Sequence, residues 1–175
     1  MRSNIEIKAK LRDREGVERL VRTCADHGPE LIIQEDVFFP CEEGRLKLRT
    51  FSEDRGELIF YRRVDTEGPT ESEFFKAPTS DPEAMAMALA AALGTAGVVR
   101  KRRTLYLVGQ TRVHLDRVEG LGDYLELEVV LKPNQSTEEG TAVAQELMEA
   151  LGIQSDDLVA EAYIDLVNYK FSNAT

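Results

Sequence analysis

The pair Glu126-x-Glu128 is the first feature of this sequence that could do chemistry. It lies in a segment, 123–131 (DYLELEVVL), that alternates apolar and acidic residues as a strand does. Both carboxylates therefore lie on one face, one pleat repeat apart, where they can reach the same ion. Glu6 and Asp116 have the matching phase in two other segments. Such a pair alone is more often a solvated strand face than a metal site.

Oxygen ligands of this kind favour Mg²⁺ or Mn²⁺ over zinc. The sequence has two histidines, His27 and His114, and neither they nor the two cysteines have the spacing of a zinc site. His114 shares the phase of Asp116, and we interpret it as a structural histidine rather than as a base or a neighbour of the metal.

Basic side chains alternate with apolar ones in several further segments. Arginine and lysine bind phosphate oxygens, and a metal ion can neutralise the charge that remains. Several basic rows beside a carboxylate-held metal suit a polyphosphate chain better than a monophosphate, because each row can contact one phosphoryl group. The candidate phosphate ligands are Lys8, Lys47, Arg49, Arg63, Lys101 and Arg103.

Other familiar catalytic motifs are missing. The sequence has no GxxxxGK[ST] loop, no GxGxxG after a strand and no GxSxG. The chemistry therefore has to come from the acidic and basic strand faces.

Composition limits the class of protein. A chain of 175 residues with 42% hydrophobic residues predicts one domain, 1–175, with a real core. A formal net charge of −10 argues against a protein that coats nucleic acid or anionic membranes. We find no apolar run of membrane-spanning length and no signal peptide, and two isolated cysteines favour reduced thiols. These features predict a cytoplasmic protein.

The charge is unevenly distributed along the chain. Residues 45–63 and 100–117 together carry a formal charge of +8, and the other 138 residues carry −18. Such segregation can produce a local positive field inside a protein whose surface is negative.

The periodicity predicts eight strands, mostly joined by turns of hairpin length, and four helices. Helices are expected to begin near Asp13, Asp81 and Thr137, with a last short helix at about 157–169. Groups of strands followed by a helix occur twice, which suggests two sheet halves of similar construction. The predicted strands are 3–11, 31–40, 45–51, 57–64, 71–77, 97–108, 111–118 and 123–131.

This pattern predicts an α+β fold: an antiparallel sheet, closed or nearly closed, with helices outside. If the apolar strand faces meet the helices, closure into a barrel turns the charged faces into an interior. An open sheet whose charged face meets water fits the same pattern equally well.

The N-terminal NIEIKAK resembles the ExExK signature of CYTH domains, the triphosphate tunnel metalloenzymes. The other segments of the resemblance follow in the family's order and spacing, so that it spans nearly the whole chain. The family includes thiamine triphosphatases, inorganic tripolyphosphatases and class IV adenylate cyclases, built on a closed eight-stranded antiparallel β-barrel, or tunnel. The segments are RLKLR (45–49), LIFYRR (58–63), VVRKRRTLYLV (98–108), HLDRVEGLGDYLELEV (114–129) and AYIDL (162–166).

The resemblance implies that the basic residues named above bind a triphosphate and that Glu6, Asp116, Glu126 and Glu128 hold a divalent metal, Mg²⁺ or Mn²⁺. It also implies that the residues nearest the chemistry are Glu6, Lys8 and Arg63. The sequence departs from the motif at Asn4, where the first glutamate of ExExK would stand. Asparagine can offer a carbonyl oxygen to a metal but removes one negative charge.

We therefore expect metal-dependent hydrolysis of a small-molecule triphosphate, either inorganic or a small organic one such as thiamine triphosphate. The first alternative is a class IV adenylate cyclase, because the segment from Val98 to Asp123 also resembles those enzymes. A second is a polyphosphate-binding module without activity. No nucleic-acid or membrane partner is expected, and the protein is expected to be a monomer or a homodimer.

Overall fold

The computed structural model describes residues 2–173, with eight strands and four α-helices among them. The strands are β1 Arg2–Lys10, β2 His27–Phe39, β3 Arg45–Ser52, β4 Arg55–Arg63, β5 Thr70–Thr79, β6 Gly97–Val108, β7 Thr111–Val118 and β8 Gly122–Val130. The helices are α1 Arg14–Cys24, α2 Pro82–Leu93, α3 Thr137–Ala150 and α4 Tyr163–Ser172.

The eight strands form a closed barrel in the order β1-β5-β4-β3-β2-β6-β7-β8. Every neighbouring pair is antiparallel, and β1 closes the barrel by pairing with both β5 and β8. The α+β closed barrel expected from the sequence is confirmed, and the open sheet is wrong. The long β2–β6 ladder joins the two groups of strands on the opposite side of the barrel from β1.

The outer faces of the strands supply the main core. Alternate residues of β1, β7 and β8 are apolar and at most 2% exposed, and they pack beneath α3 and α1. A capping box formed by Ser136 and Glu139 fixes the start of α3. In the same helix a Cβ at Gly140 would lie 2.4 Å from Leu131, so glycine lets α3 approach the barrel closely. The core residues of the three strands include Ile5, Ile7, Val113, Leu115, Leu125, Leu127 and Val129.

A second apolar cluster lies at one mouth of the barrel, where the C-terminal segment packs. Tyr163, Ile164 and Val167 of α4 contact buried residues of β2, β6, β7 and β8. The helix predicted at 157–169 is wrong in its bounds. The structure has a short 3₁₀ turn at Ser155–Asp157, then an extended stretch in which the Val159 amide donates to the Lys8 carbonyl, and α4 begins at Tyr163.

Within residues 2–173, none of the helices combines the length and the apolar character that crossing a membrane would require.

Replacing Leu125 with alanine tests the core beneath α3. The side chain is fully buried, so Leu125→Ala should lower the free energy of unfolding by about 2–5 kcal/mol through lost contacts and a cavity. Denaturant unfolding followed by circular dichroism measures the change. Ile33→Ala is the control, because Ile33 is 63% exposed on β2 and should change the stability by less than about 1 kcal/mol. Equal effects of the two substitutions would contradict this assignment of the core.

Candidate active site

The charged inner faces of the strands enclose a cavity of about 640 Å³, counting the space at its open end. Seven basic side chains and three acidic ones line it. All six basic residues singled out in the sequence are among them, and Lys76 of β5 is the seventh. The lining acids are Glu6, Glu126 and Glu128; Asp116 is not part of the lining.

Asp116 lies behind one of the basic rows. Its carboxylate is fully buried and accepts two hydrogen bonds from Arg103, at 2.7 Å from Nε and 2.6 Å from Nη2. The Tyr163 hydroxyl donates to it at 3.1 Å, and Lys101 Nζ lies 3.7 Å away. These contacts make Asp116 the anchor of the row formed by Lys101 and Arg103. Its expected role as a metal ligand stays a prediction.

Asp36 of β2 anchors a second basic row in the same way. It accepts from Arg49 Nε at 2.7 Å, from Arg49 Nη2 at 2.8 Å and from Lys47 Nζ at 2.9 Å, and it is 2% exposed. Asp36 stands directly across the ladder from Arg49, just as Asp116 stands across from Arg103. Each half of the barrel thus carries one Lys-x-Arg row held by one aspartate.

The sequence analysis missed Asp36 and Lys76. The available signal was strand phase, since Gln34, Asp36 and Phe38 alternate along β2 while Ser72, Phe74 and Lys76 alternate along β5. Asp36 shares its face of β2 with Gln34 and Phe38, and an acid on that face lies opposite the basic row of the neighbouring strand β3.

Burial and neighbouring charges shift the pKa values of these rows. Burial alone would raise the pKa of Asp36, but the charges of Arg49 and Lys47 outweigh it and hold that pKa well below the ordinary value. Burial, helped by the charge of Arg49, lowers the pKa of Lys47 to about 7. In the second row, burial and the neighbouring Arg103 lower the pKa of Lys101.

Three carboxylates from β1 and β8 form the acidic part of the cavity. Glu6 lies directly across from Glu128, and Lys8 across from Glu126. Burial, together with the negative charges of Glu128 and Glu126, raises the pKa of Glu6. Three acids that repel one another in a buried space are a donor set that a divalent cation would stabilise, and oxygen donors fit Mg²⁺ or Mn²⁺.

His114 lies beside these acids on β7. Its Nδ1 is 3.7 Å from Glu128 Oε1 and 4.0 Å from Glu126 Oε2. Burial and the nearby charge of Arg103 lower the pKa of His114 to about 4, so the imidazole is neutral at pH 7. It is therefore not a cation that compensates the two glutamates.

Without a ligand, the acids and bases of the cavity pair with one another. Arg103 donates a short hydrogen bond to Glu126, and Lys8 Nζ lies 3.7 Å from the same carboxylate. Arg63 Nη1 lies 3.7 Å from Glu6 Oε2. A bound anion could replace the carboxylates as partners of these cations, and a bound metal could replace the cations as partners of the carboxylates.

Asn4 is buried between β5 and β8, with Ser72 as its partner across the β1–β5 ladder. When its amide is oriented to match its surroundings, the nitrogen donates to the Ser72 carbonyl at 3.2 Å and to Glu6 Oε1 at 3.3 Å. In this orientation the Asn4 amide donates a hydrogen bond to Glu6, at a position where a glutamate would have added a fourth carboxylate.

Residues 160–163 cover one mouth of the barrel. Lys8 donates to the Glu161 carbonyl at 2.8 Å, and Arg63 donates to the Ala160 carbonyl at 2.8 Å. The Tyr163 ring lies 4.4 Å from Lys8 Nζ and 4.8 Å from Lys101 Nζ, measured to the ring centroid. The C-terminal segment therefore covers the cations that it contacts.

A surface groove adjoins the cavity on the side of β1 and β5. Asn4, Phe74 and Lys76 line both spaces, and the groove continues past Arg112 and Lys132. The groove thus has three basic side chains, Lys76, Arg112 and Lys132.

Comparison with known proteins agrees with this architecture. The CYTH domain matches residues 2–163. A protein of Methanocaldococcus jannaschii, whose name proposes an adenylate cyclase, is 27% identical over 171 residues, covering 93% of this chain and 97% of the relative. A solved structure from Pyrococcus horikoshii is 26% identical, with a TM-score of 0.78 and coverage of 93% and 98%.

A more distant structure has the same fold. A plant protein from Hippeastrum, described as an adenylyl cyclase candidate with a dominant triphosphatase activity, is 16% identical with a TM-score of 0.60. It covers 91% of this chain, and this chain covers 91% of it.

Asp36→Asn tests the anchor of the first row. Loss of the carboxylate leaves Arg49 and Lys47 buried without their counter-charge, and we expect a loss of about 3 kcal/mol in the free energy of unfolding at pH 7. Because the pKa of Asp36 is depressed in the folded state, its contribution is present above the ordinary value and is lost as the pH falls through the folded pKa. The difference between wild type and variant should therefore shrink below about pH 4.

The matched control is Glu35→Gln. Glu35 is the next residue on β2, and its ion pair with Arg100 is solvent-exposed, so the change should cost less than about 1 kcal/mol. Denaturant titrations between about pH 3 and about pH 7 measure both variants. This range runs from about one unit below the ordinary aspartate pKa to about three units above it. A pH-independent difference for Asp36→Asn would refute the buried ion pair.

Proposed function

The chain belongs to the CYTH domain family, and we propose that it catalyses the divalent-metal-dependent hydrolysis of a triphosphate. The observation that carries the proposal is the cavity itself, in which two aspartate-anchored Lys-x-Arg rows face three converging glutamates. A buried array of cations in excess over acids is costly to maintain, and a highly charged anion compensates it.

In this proposal the two anchored rows bind the phosphate chain. Arg49 and Arg103 are oriented by bidentate contacts with their aspartates, while Lys47 and Lys101 add compact point charges. Several cations in separate rows allow each phosphoryl group its own contacts, which favours a triphosphate over a monophosphate.

Glu6, Glu126 and Glu128 are the residues that would hold the metal. A divalent cation bound there supplies charge neutralisation of the phosphate oxygens during phosphoryl transfer. The fit rests on three half-buried carboxylates that line one cavity, where burial and the charges of Glu128 and Glu126 raise the pKa of Glu6.

Hydrolysis needs a water molecule to attack the terminal phosphorus as the bridging P–O bond breaks. In this proposal Glu6 would orient that water and accept its proton, which would pass to the departing phosphate chain. Lys8 and Arg63, next to Glu6, stabilise the negative charge on the transferred group. No side-chain nucleophile is required, and the products are orthophosphate and the shortened phosphate chain.

Inorganic triphosphate is the favoured substrate, and a small organic triphosphate such as thiamine triphosphate is the next. Most of the cavity lining is charged, which gives a phosphate chain more contacts than an organic group. A cytoplasmic location, one catalytic domain spanning residues 1–175, and a monomeric or homodimeric state complete the proposal.

Adenylate cyclase activity is the second candidate. The name of the Methanocaldococcus jannaschii relative, similar over 93% of this chain, favours it. The reaction would use the same rows, but the ribose 3′-oxygen would attack the α-phosphorus and pyrophosphate would leave.

A substrate screen separates these possibilities. Inorganic triphosphate, thiamine triphosphate and ATP are incubated with Mg²⁺, Mn²⁺ or Ca²⁺, and both phosphate and cyclic AMP are measured. We expect phosphate release that depends on metal. Cyclic AMP with pyrophosphate would establish the cyclase instead, and tight triphosphate binding without turnover would establish a binding module.

Glu126→Gln should lower metal-dependent turnover by about 100-fold or more, because it removes one charge from the proposed metal set. Glu30→Gln, on the exposed start of β2, is the matched control and should leave turnover unchanged. Circular dichroism of each variant checks that the fold is retained. Undiminished turnover in Glu126→Gln would refute the metal assignment.

Affinity for triphosphate should fall as the pH rises above 7. The pKa of Lys47 is about 7 in the free protein, because burial and Arg49 oppose its charge while Asp36 supports it. Above that pH, binding must recruit a proton, which costs up to about tenfold in affinity per pH unit for one group. Calorimetric titration with inorganic triphosphate in a chelator, from about pH 6.5 to about pH 9, measures the effect, because this range begins near the lowered pKa and stays below the ordinary lysine value of about 10.4.

Lys47→Arg is the control, because arginine keeps its charge across this range. Protonation of the triphosphate itself affects the wild type and the variant equally. A weaker dependence of affinity on pH in Lys47→Arg would therefore be due to Lys47. Parallel profiles for the two proteins would show that Lys47 does not carry the charge that the anion contacts.

A further inference from the structure

His114 has a buried nitrogen without a partner. The residue is 4% exposed, and its Nδ1 forms no hydrogen bond within the part of the chain that the structure describes. It points toward Glu126 and Glu128 from the neighbouring strand. A buried polar atom that faces two carboxylates and bonds to neither calls for a physical explanation.

The distances around this nitrogen fit a shared ion. Nδ1 lies 3.7 Å from Glu128 Oε1 and 4.0 Å from Glu126 Oε2, and both separations are too long for a hydrogen bond. Two donors that bind one cation at about 2.0–2.2 Å lie up to about 4.4 Å apart. One donor atom from each of the three side chains lies within 4.8 Å of the others.

The backbone fixes this donor set. His114 stands directly across the β7–β8 ladder from Glu126, and Glu128 follows two residues later on the same face of β8. The three side chains are therefore brought together by strand register and not by a flexible loop, which keeps the donors in place before an ion binds.

We propose that His114 is a nitrogen ligand of the divalent metal held by Glu126 and Glu128, and that it makes the site favour Mn²⁺ over Mg²⁺ and Ca²⁺. The inference rests on the metal site of the proposed function and adds to it a ligand and a metal preference. Mn²⁺ belongs to the first-row series that binds mixed nitrogen and oxygen sites, although it is the weakest member of that series, whereas Mg²⁺ and Ca²⁺ are bound by oxygen donors. Glu6, the third acid of the proposed metal set, lies across the β1–β8 ladder from Glu128.

Electron spin echo spectroscopy of the protein with Mn²⁺ alone tests this ligand directly, because a coordinated imidazole produces a nitrogen modulation. His27→Gln is the matched control, since the chain has two histidines and this one is exposed at the start of β2. We expect the modulation in the wild type and in His27→Gln, and its loss in His114→Gln.

Isotope labelling keeps the test independent of how His114→Gln folds. In His27→Gln grown with ¹⁵N-histidine, His114 is the one labelled imidazole, and the modulation should change from the ¹⁴N to the ¹⁵N pattern. Bound Mn²⁺ whose signal does not respond to the label would overturn the inference and leave the carboxylate site intact. If titration finds no protein-bound Mn²⁺ at all, the metal site of the proposed function fails together with it.

Metal affinity gives a second readout without turnover. Calorimetric titrations should show that the wild type binds Mn²⁺ more tightly than Mg²⁺ or Ca²⁺. His114→Gln should weaken Mn²⁺ binding by about 10–100-fold and Mg²⁺ binding by less. Equal losses for the two ions, or a wild type that prefers Mg²⁺, would overturn the proposed preference.

Discussion

The structure depends on one electrostatic constraint: charge enclosed in a barrel has to be compensated inside that barrel. Asp36 and Asp116 meet this constraint, each facing an arginine across a ladder and each fully or almost fully buried. A buried arginine without such a partner would be strongly destabilising. The two aspartates offset part of the positive charge of the inner faces, while the apolar outer faces pack beneath the helices.

The same constraint links the two kinds of ligand. In the free protein Arg103 and Lys8 share the carboxylate of Glu126, and Arg63 lies near Glu6. An anion that draws those cations away leaves the glutamates with less compensation, which a divalent cation restores. Under the proposed function, binding of a metal and binding of a triphosphate would therefore be coupled through these ion pairs.

Strand phase was enough to predict much of the fold and most of the cavity lining. Side chains alternate between faces with a period of two, so Lys8, Arg49 and Glu128 could be assigned to the inner face directly. The phase of a residue along its strand does not show how deeply its side chain is buried or which side chain it contacts. Asp116 has the inner phase but lies behind Arg103, and Asp36 was overlooked because its role depends on the register between β2 and β3.

The C-terminal segment shows another limit. The apolar spacing in 157–169 is compatible with a helix, but Leu158 bridges to Ala9 and the Val159 amide donates to the Lys8 carbonyl, so the start of this stretch pairs with β1. Pairing with β1 thus competes with local helix formation, and it depends on tertiary structure that no local sequence pattern shows. The backbone carbonyls of Glu161 and Ala160 accept hydrogen bonds from Lys8 and Arg63. A contact made by backbone atoms cannot be predicted from a side-chain motif.

The aspartate-held arginines also bear on the entropy of recognition. A free arginine loses side-chain freedom when it binds a phosphate, whereas Arg49 and Arg103 have already lost it on folding. Their positions are set by the barrel, so under the proposed function a phosphate chain would meet two arginines that are already ordered, and less side-chain entropy would be lost on binding.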